Sequence, residues 1–134
     1  MSSTSSVDGV VSRLSRFSVD DTLQRLEEVI RDRGVTLFAH FDHGGEAAKA
    51  GLPMQPAQVL VFGNPNAGTP LMVASPLVAL DLPLRVLVWQ DVGGQVLVSY
   101  NEPAFLAQRY HIPSDLVGVI AGVQEMVDAA LHDA

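Results

Sequence analysis

Cysteine is absent from this chain, lysine occurs only at Lys49, and charged residues make up just 17% of its 134 positions. Without thiols there is no disulfide framework, no thiolate zinc site and no cysteine nucleophile. The shortage of positive charge excludes more. Eight Lys and Arg stand against fifteen Asp and Glu, for a formal net charge of −7. Binding a nucleic acid through its phosphates needs clustered cations, so neither duplex nor single strand is an expected partner. An anionic membrane surface is excluded on the same ground. Long hydrophobic runs are missing too. The longest, from Leu116 to Val123, holds eight residues, whereas a membrane-spanning helix needs about 20. Residues 1–8 begin with a polar, serine-rich stretch that lacks the apolar core of a secretory signal. They are expected to form a disordered tail, and the chain is expected in the cytoplasm.

What is present is apolar. Hydrophobic residues make up 48% of the chain, enough for one core, and residues 9–134 are expected to form a single domain. Residues 9–17 alternate as a first strand. Ser18, with Asp21 three residues on, caps a helix whose apolar positions are Val19, Leu23, Leu26, Val29 and Ile30, and Gly34 ends it. Val35–Phe41 alternates as a second strand, with Val35, Leu37, Ala39 and Phe41 on one face. A short helix is expected over Glu46–Ala50 and a strand over Gln58–Phe62. The loop 63–68 is expected to precede a helix capped by Thr69, with Pro70 at its first position. One more turn follows Pro76. Pro83–Tyr100 reads as a hairpin turning at Gly93-Gly94. A short helix runs from Pro103, and a final helix capped by Ser114 carries Leu116, Val119, Ile120, Val123, Val127, Ala130 and Leu131. Gly118 and Gly122 on that helix suggest close packing on a sheet. The order predicts an α+β two-layer sandwich: a mostly antiparallel five-stranded sheet with two long helices packed on one face.

Three constellations bear on chemistry. Gly63-x-x-x-x-Gly68-Thr69 has the glycine spacing of a phosphate-binding loop but lacks the lysine that contacts the phosphates. The surviving expectation is a helix start with free N–H groups for an anion. His40-Phe41-Asp42-His43 gathers ionisable groups, but alternate positions on one strand rarely close a metal site. His111 and His132 lie far along the chain, so neither a metal nor a cofactor is expected. No nucleophile motif is present. Trp89 and Tyr100 read as core or interface aromatics.

Taken together, the stretches 41–52, 59–72 and 80–89, followed by Ser99-Tyr100-Asn101 and Arg109-Tyr110, resemble the domain of unknown function 302 family. The shared elements are Asp42-His43, Gly63-Asn64-Pro65 and Leu82-Pro83, in that order, and the likeness extends from about Val11 to Ala130. The resemblance implies a TATA-binding-protein-like α+β fold in a small, soluble bacterial or archaeal protein, often dimeric. It implies neither DNA binding nor any reaction. It places the family's recurring polar elements on Asp42, His43, Asn64, Pro65 and Tyr100; Gly44-Gly45-Glu46 departs from the family's small residues there.

The expected function is a homodimeric module that binds a small organic ligand, because polar and glycine-rich segments of a greasy chain gather in two loops. The expected site residues are Asp42, His43, Asn64, Pro65, Gly68, Thr69 and Tyr100, with His43 and Asn64 sharing one niche. The alternatives are a structural homodimer without ligand, suggested by a mean hydropathy of +0.25, and a cofactor-independent enzyme in which Asp42 orients His43 as general acid or base.

Overall fold

The computed structural model describes residues 7–132. The tail expected over 1–8 falls outside the described residues except for Val7 and Asp8. The elements are β1 (Val10–Ser15), α1 (Val19–Asp32), β2 (Thr36–Asp42), α2 (His43–Lys49), β3 (Ala57–Gly63) and α3 (Pro65–Ala74). A 3₁₀ segment (Pro76–Asp81) leads to β4 (Leu84–Gln90), β5 (Val96–Asn101) and α4 (Pro103–Arg109), and a 3₁₀ turn (Ser114–Leu116) to α5 (Gly118–Leu131). The strands form one sheet in the order β1-β5-β4-β3-β2, with every neighbouring pair antiparallel.

Residues opposite each other in an antiparallel pair share a face. Leu60 on β3 pairs with Val86 on β4, and Val88 with Val98 on β5. These side chains meet Leu23, Leu26 and Ile30 of α1 and Val123, Met126 and Val127 of α5 in one buried cluster. Both long helices therefore cover the same face of the sheet. Burying Leu60, Phe62 or Leu26 so completely contributes about 1.5–3 kcal/mol each. A second cluster, of Leu71, Val78, Leu106, Ile112 and Ile120, fills the space between α3, the 3₁₀ segment, α4 and α5.

The helix ends follow local chemistry. The Ser18 hydroxyl accepts from the Asp21 N–H at 3.0 Å, and Gly34 takes a positive φ of 69° beyond the helix. Asp91, buried at the β4–β5 turn, accepts from the N–H groups of Gly93 and Gln95. At the end of α5, Arg25 lies over the Phe17 ring at 4.0 Å and donates from Nε to the Ala130 carbonyl at 2.6 Å. The guanidinium also reaches the His132 carbonyl, so one cation closes a helix terminus that has no glycine stop.

Four local expectations need correction. Ser114 does not cap the final helix: Ser114–Leu116 is a separate 3₁₀ turn, and α5 starts at Gly118 after Val117 without a side-chain cap. Register shifts between Leu37 and Ala39, so Phe38 is an extra residue and β2 does not alternate evenly. Leu37 pairs with Phe62 on the helix side, whereas Ala39 pairs with Val61 on the other. The helix α3 starts at Pro65, capped by Asn64, rather than at Pro70, capped by Thr69; the Asn-Pro pair, not Thr-Pro, is the stronger start signal because the asparagine oxygen captures the Asn66 N–H at 3.0 Å. Likewise α2 begins at His43 instead of Glu46, because Asp42 caps it.

The other face of the sheet carries Ser12, Leu14, Leu97, Ser99, Leu87, Trp89, Val59, Val61, Ala39 and Phe41. None of Leu87, Trp89, Leu97 or Val59 belongs to either buried cluster. Its polar atoms satisfy one another: Trp89 Nε1 donates to Ser99 Oγ at 2.9 Å, and Ser99 Oγ bonds Ser12 Oγ at 2.7 Å. Replacing Arg25 by Ala is expected to lower stability by about 1.5 kcal/mol, read as a lower urea midpoint with unchanged slope.

Candidate functional site

The end of β3 delivers Phe62, Gly63 and Asn64 to a cavity of about 280 Å³. Its remaining walls come from Val35 and the bulged Phe38, from Pro65, Ala67, Gly68, Thr69 and Met72 of α3, from Leu82, Pro83 and Leu84 before and in β4, and from Val119, Gly122 and Met126 of α5. No wall residue is charged. The volume lies at the lower end of the range for small-molecule sites. Burying an ion among such walls without a partner is prohibitively costly. The polar side chains on the walls are Asn64 and Thr69, both near the start of α3. Asn64 spends its oxygen on the Asn66 N–H, which leaves its amide nitrogen as a donor. The Thr69 hydroxyl has no partner among the described residues.

The helix start itself holds no anion cradle. Pro65 has no N–H, Asn66 is capped, and the N–H groups of Ala67 and Gly68 bond the Asn64 carbonyl at 3.0 and 2.8 Å. The expectation of free donors there is therefore overturned, because the helix begins five residues earlier than expected and uses them.

The niche shared by His43 and Asn64 does not exist. Thr36 pairs with Gly63 and Asp42 with Gln58. His43 and Asn64 thus leave opposite ends of the same strand pair, six residues or roughly 20 Å apart along the sheet. Asp42 accepts from the Gly45 N–H at 2.8 Å as a helix cap, and it borders a shallow hollow with Ser18, Asp20 and Gln58. His43 is exposed and makes no side-chain hydrogen bond among the described residues. His40 bonds Gln58 at 2.6 Å. Among the described residues no three His, Asp or Glu side chains come together as a metal site. The same geometry does not support the general acid/base reading: the carboxylate caps α2, and His43 is exposed and absent from the walls of the 280 Å³ cavity.

Tyr100 pairs with Val11 and lies in the main core, 5% exposed, away from the cavity walls. Burial holds its phenol above the usual range, opposed by the nearby Arg13 guanidinium, which also pairs with Asp128 on α5. Of the expected site residues, the structure therefore brings together Asn64, Pro65, Gly68 and Thr69, and separates Asp42, His43 and Tyr100 from them. Sequence reasoning missed Phe38, Leu82, Val119, Gly122 and Met126. Only Gly122, a glycine inside a helix, carried a signal, and it was read as close packing. No atom within 4 Å would meet a Cβ there, so close packing is not its cause.

Comparison with known proteins places the chain. The model of the domain of unknown function DUF302 matches residues 11–134; the chain belongs to this family. An uncharacterized conserved DUF302 protein from Bacillus stearothermophilus, known from its crystal structure, superposes with a TM-score of 0.76 at 21% identity, covering 93% of this chain and 97% of that one. That likeness shows the fold. The chain is also 41% identical over 104 residues to "Fluoride-specific ion channel FluC 1" of Brucella suis, and equally so to "Fluoride-specific ion channel FluC 2" of Brucella melitensis. The match takes in 78% of this chain but only 41% and 38% of those relatives. The chain thus spans about two fifths of the curated relatives' length. No helix among the described residues is long and apolar enough to cross a membrane.

The raised phenol of Tyr100 sets a pH dependence. A group held more tightly protonated in the folded state adds stability that is complete below its unfolded value, about pH 10, and is lost as pH rises through the folded value. Urea midpoints are expected to fall more steeply above about pH 10 in the wild type than in Tyr100→Phe.

Proposed function

We propose that this domain binds a small, uncharged organic molecule in the cavity between the end of β3, α3 and α5. The carrying observation is the charge-free, mainly apolar wall whose residues with polar side chains are Asn64 and Thr69. Such a site desolvates an apolar body and orients it through one or two hydrogen bonds. Thermal denaturation across a panel of neutral and anionic metabolites tests this. A neutral ligand at a hundred times its Kd adds about 2.7 kcal/mol, a rise of several degrees. Anions matched in shape are expected to give no rise, and His43→Ala to leave the response intact. A panel without any shift counts against the reading.

We further propose that the module is a homodimer joined through the open sheet face, in the cytoplasm. Arg85 is the one charged side chain paired onto that face, although the chain as a whole carries −7. Two copies meet there without carboxylate repulsion. Five strands about 4.8 Å apart and six residues of about 3.3 Å give a face of roughly 480 Å², so two stacked faces bury about 1,000 Å², the threshold for a specific interface. Leu14 and Phe41 stand 60% and 53% exposed at its two edges. Light scattering is expected to give twice 14.3 kDa for the wild type and a single mass for Leu14→Lys/Phe41→Lys.

A second reading draws on the relatives named as fluoride channels. Spanning a membrane takes helices or a closed barrel, and no helix among the described residues is long and apolar enough to cross one. On this reading the domain serves as an accessory to a membrane transport protein, reporting the occupancy of its cavity. Fluoride itself is a poor occupant, since no cation lines the cavity.

A further inference from the structure

We infer that Gly122 on α5, together with Gly68 on α3, reserves the space for a ring-sized neutral ligand bearing one carbonyl or hydroxyl group. The inference rests on the ligand-binding reading above and names the class of molecule and the residue that selects it.

Val119, Gly122 and Met126 are spaced three and four apart on α5, and all line the cavity. Residues at that spacing share one helix face, so a side chain at Gly122 would enter the cavity. A Cβ there would meet no atom within 4 Å, and the same is true at Gly68. Contrast Gly9, where a Cβ would lie 2.4 Å from the Phe105 ring, and Gly45, where it would lie 2.6 Å from the Asp42 carboxylate. Those glycines are required by their neighbours. Neither packing nor a positive φ requires Gly122, yet glycine inside a helix weakens it relative to alanine. Gly118 is equally uncrowded, but it is exposed and outside the cavity.

The chemistry of the walls completes the class. The Phe38 and Phe62 rings line the cavity and suit a flat apolar body. The free amide nitrogen of Asn64 donates, and the Thr69 hydroxyl donates or accepts; a carbonyl or hydroxyl satisfies them, while a carboxylate finds no cation.

Calorimetry with 1-naphthol and 1-naphthoate tests the inference on the full chain. Wild type is expected to bind 1-naphthol saturably and 1-naphthoate at least about tenfold more weakly. Gly122→Leu is expected to lose at least about tenfold in 1-naphthol affinity while melting no lower than wild type without ligand. Gly122→Ala and Gly118→Ala are both expected to raise the melting temperature by a few degrees, but only Gly122→Ala weakens binding. Wild-type binding retained in Gly122→Leu and Gly122→Ala overturns the role of Gly122 while leaving the cavity as a site. Failure of 1-naphthol to bind, with another neutral ligand found in the thermal panel, overturns the ring class alone. Failure of both overturns the ligand-binding reading as well.

Discussion

The antiparallel register of β3 between β2 and β4 is the constraint on which the cavity depends. It turns Leu60 and Phe62 toward the two long helices, where both are fully buried. It also ends the strand so that Gly63 and Asn64 arrive at the cavity together with the start of α3. A slip of one residue would carry Phe62 to the open face and Val61 into the core. The burial of a large aromatic ring thus holds Asn64 and the start of α3 in place at the cavity.

Around that strand, the two faces of the sheet serve separate roles. The helix-covered face supplies the hydrophobic driving force and, where α3 and α5 diverge from β2 and β3, leaves the cavity. The bulge at Phe38 belongs to this arrangement, since an extra residue re-aims a side chain at a sheet margin and here places a ring on the cavity wall. The open face is apolar without being unsatisfied, because the Trp89–Ser99–Ser12 chain of hydrogen bonds absorbs its polar atoms. A ligand and a second copy of the chain would therefore use different surfaces.

The chain matches only about two fifths of the longer Brucella proteins. Its two long helices pack on the sheet, and the cavity at the end of β3 is lined by uncharged residues. The reading of Asp42 and His43 as an acid–base pair finds no support in the geometry. Asp42 and His43 attract attention as a pair of ionisable neighbours, yet the carboxylate terminates a strand and starts a helix, and the imidazole is exposed.

Much of the fold was legible in the order of residues because it rests on short-range physics. Ser18, Gly34, Pro103 and the Gly93-Gly94 pair act on their immediate neighbours, and the alternation in β1, β4 and β5 reports a face of a sheet directly. One part of the candidate site was legible for the same reason: Asn64, Pro65, Gly68 and Thr69 are close enough in sequence to stay together in any fold. The rest was decided only by tertiary structure. Strand pairing puts His43 and Asn64 at opposite ends of the sheet, Tyr100 enters the core through its partner Val11, and residues sixty positions apart, such as Phe62 and Gly122, meet across one cavity. Local chemistry sets where an element starts and stops, but which ends of which elements adjoin depends on how burial is shared over the whole chain.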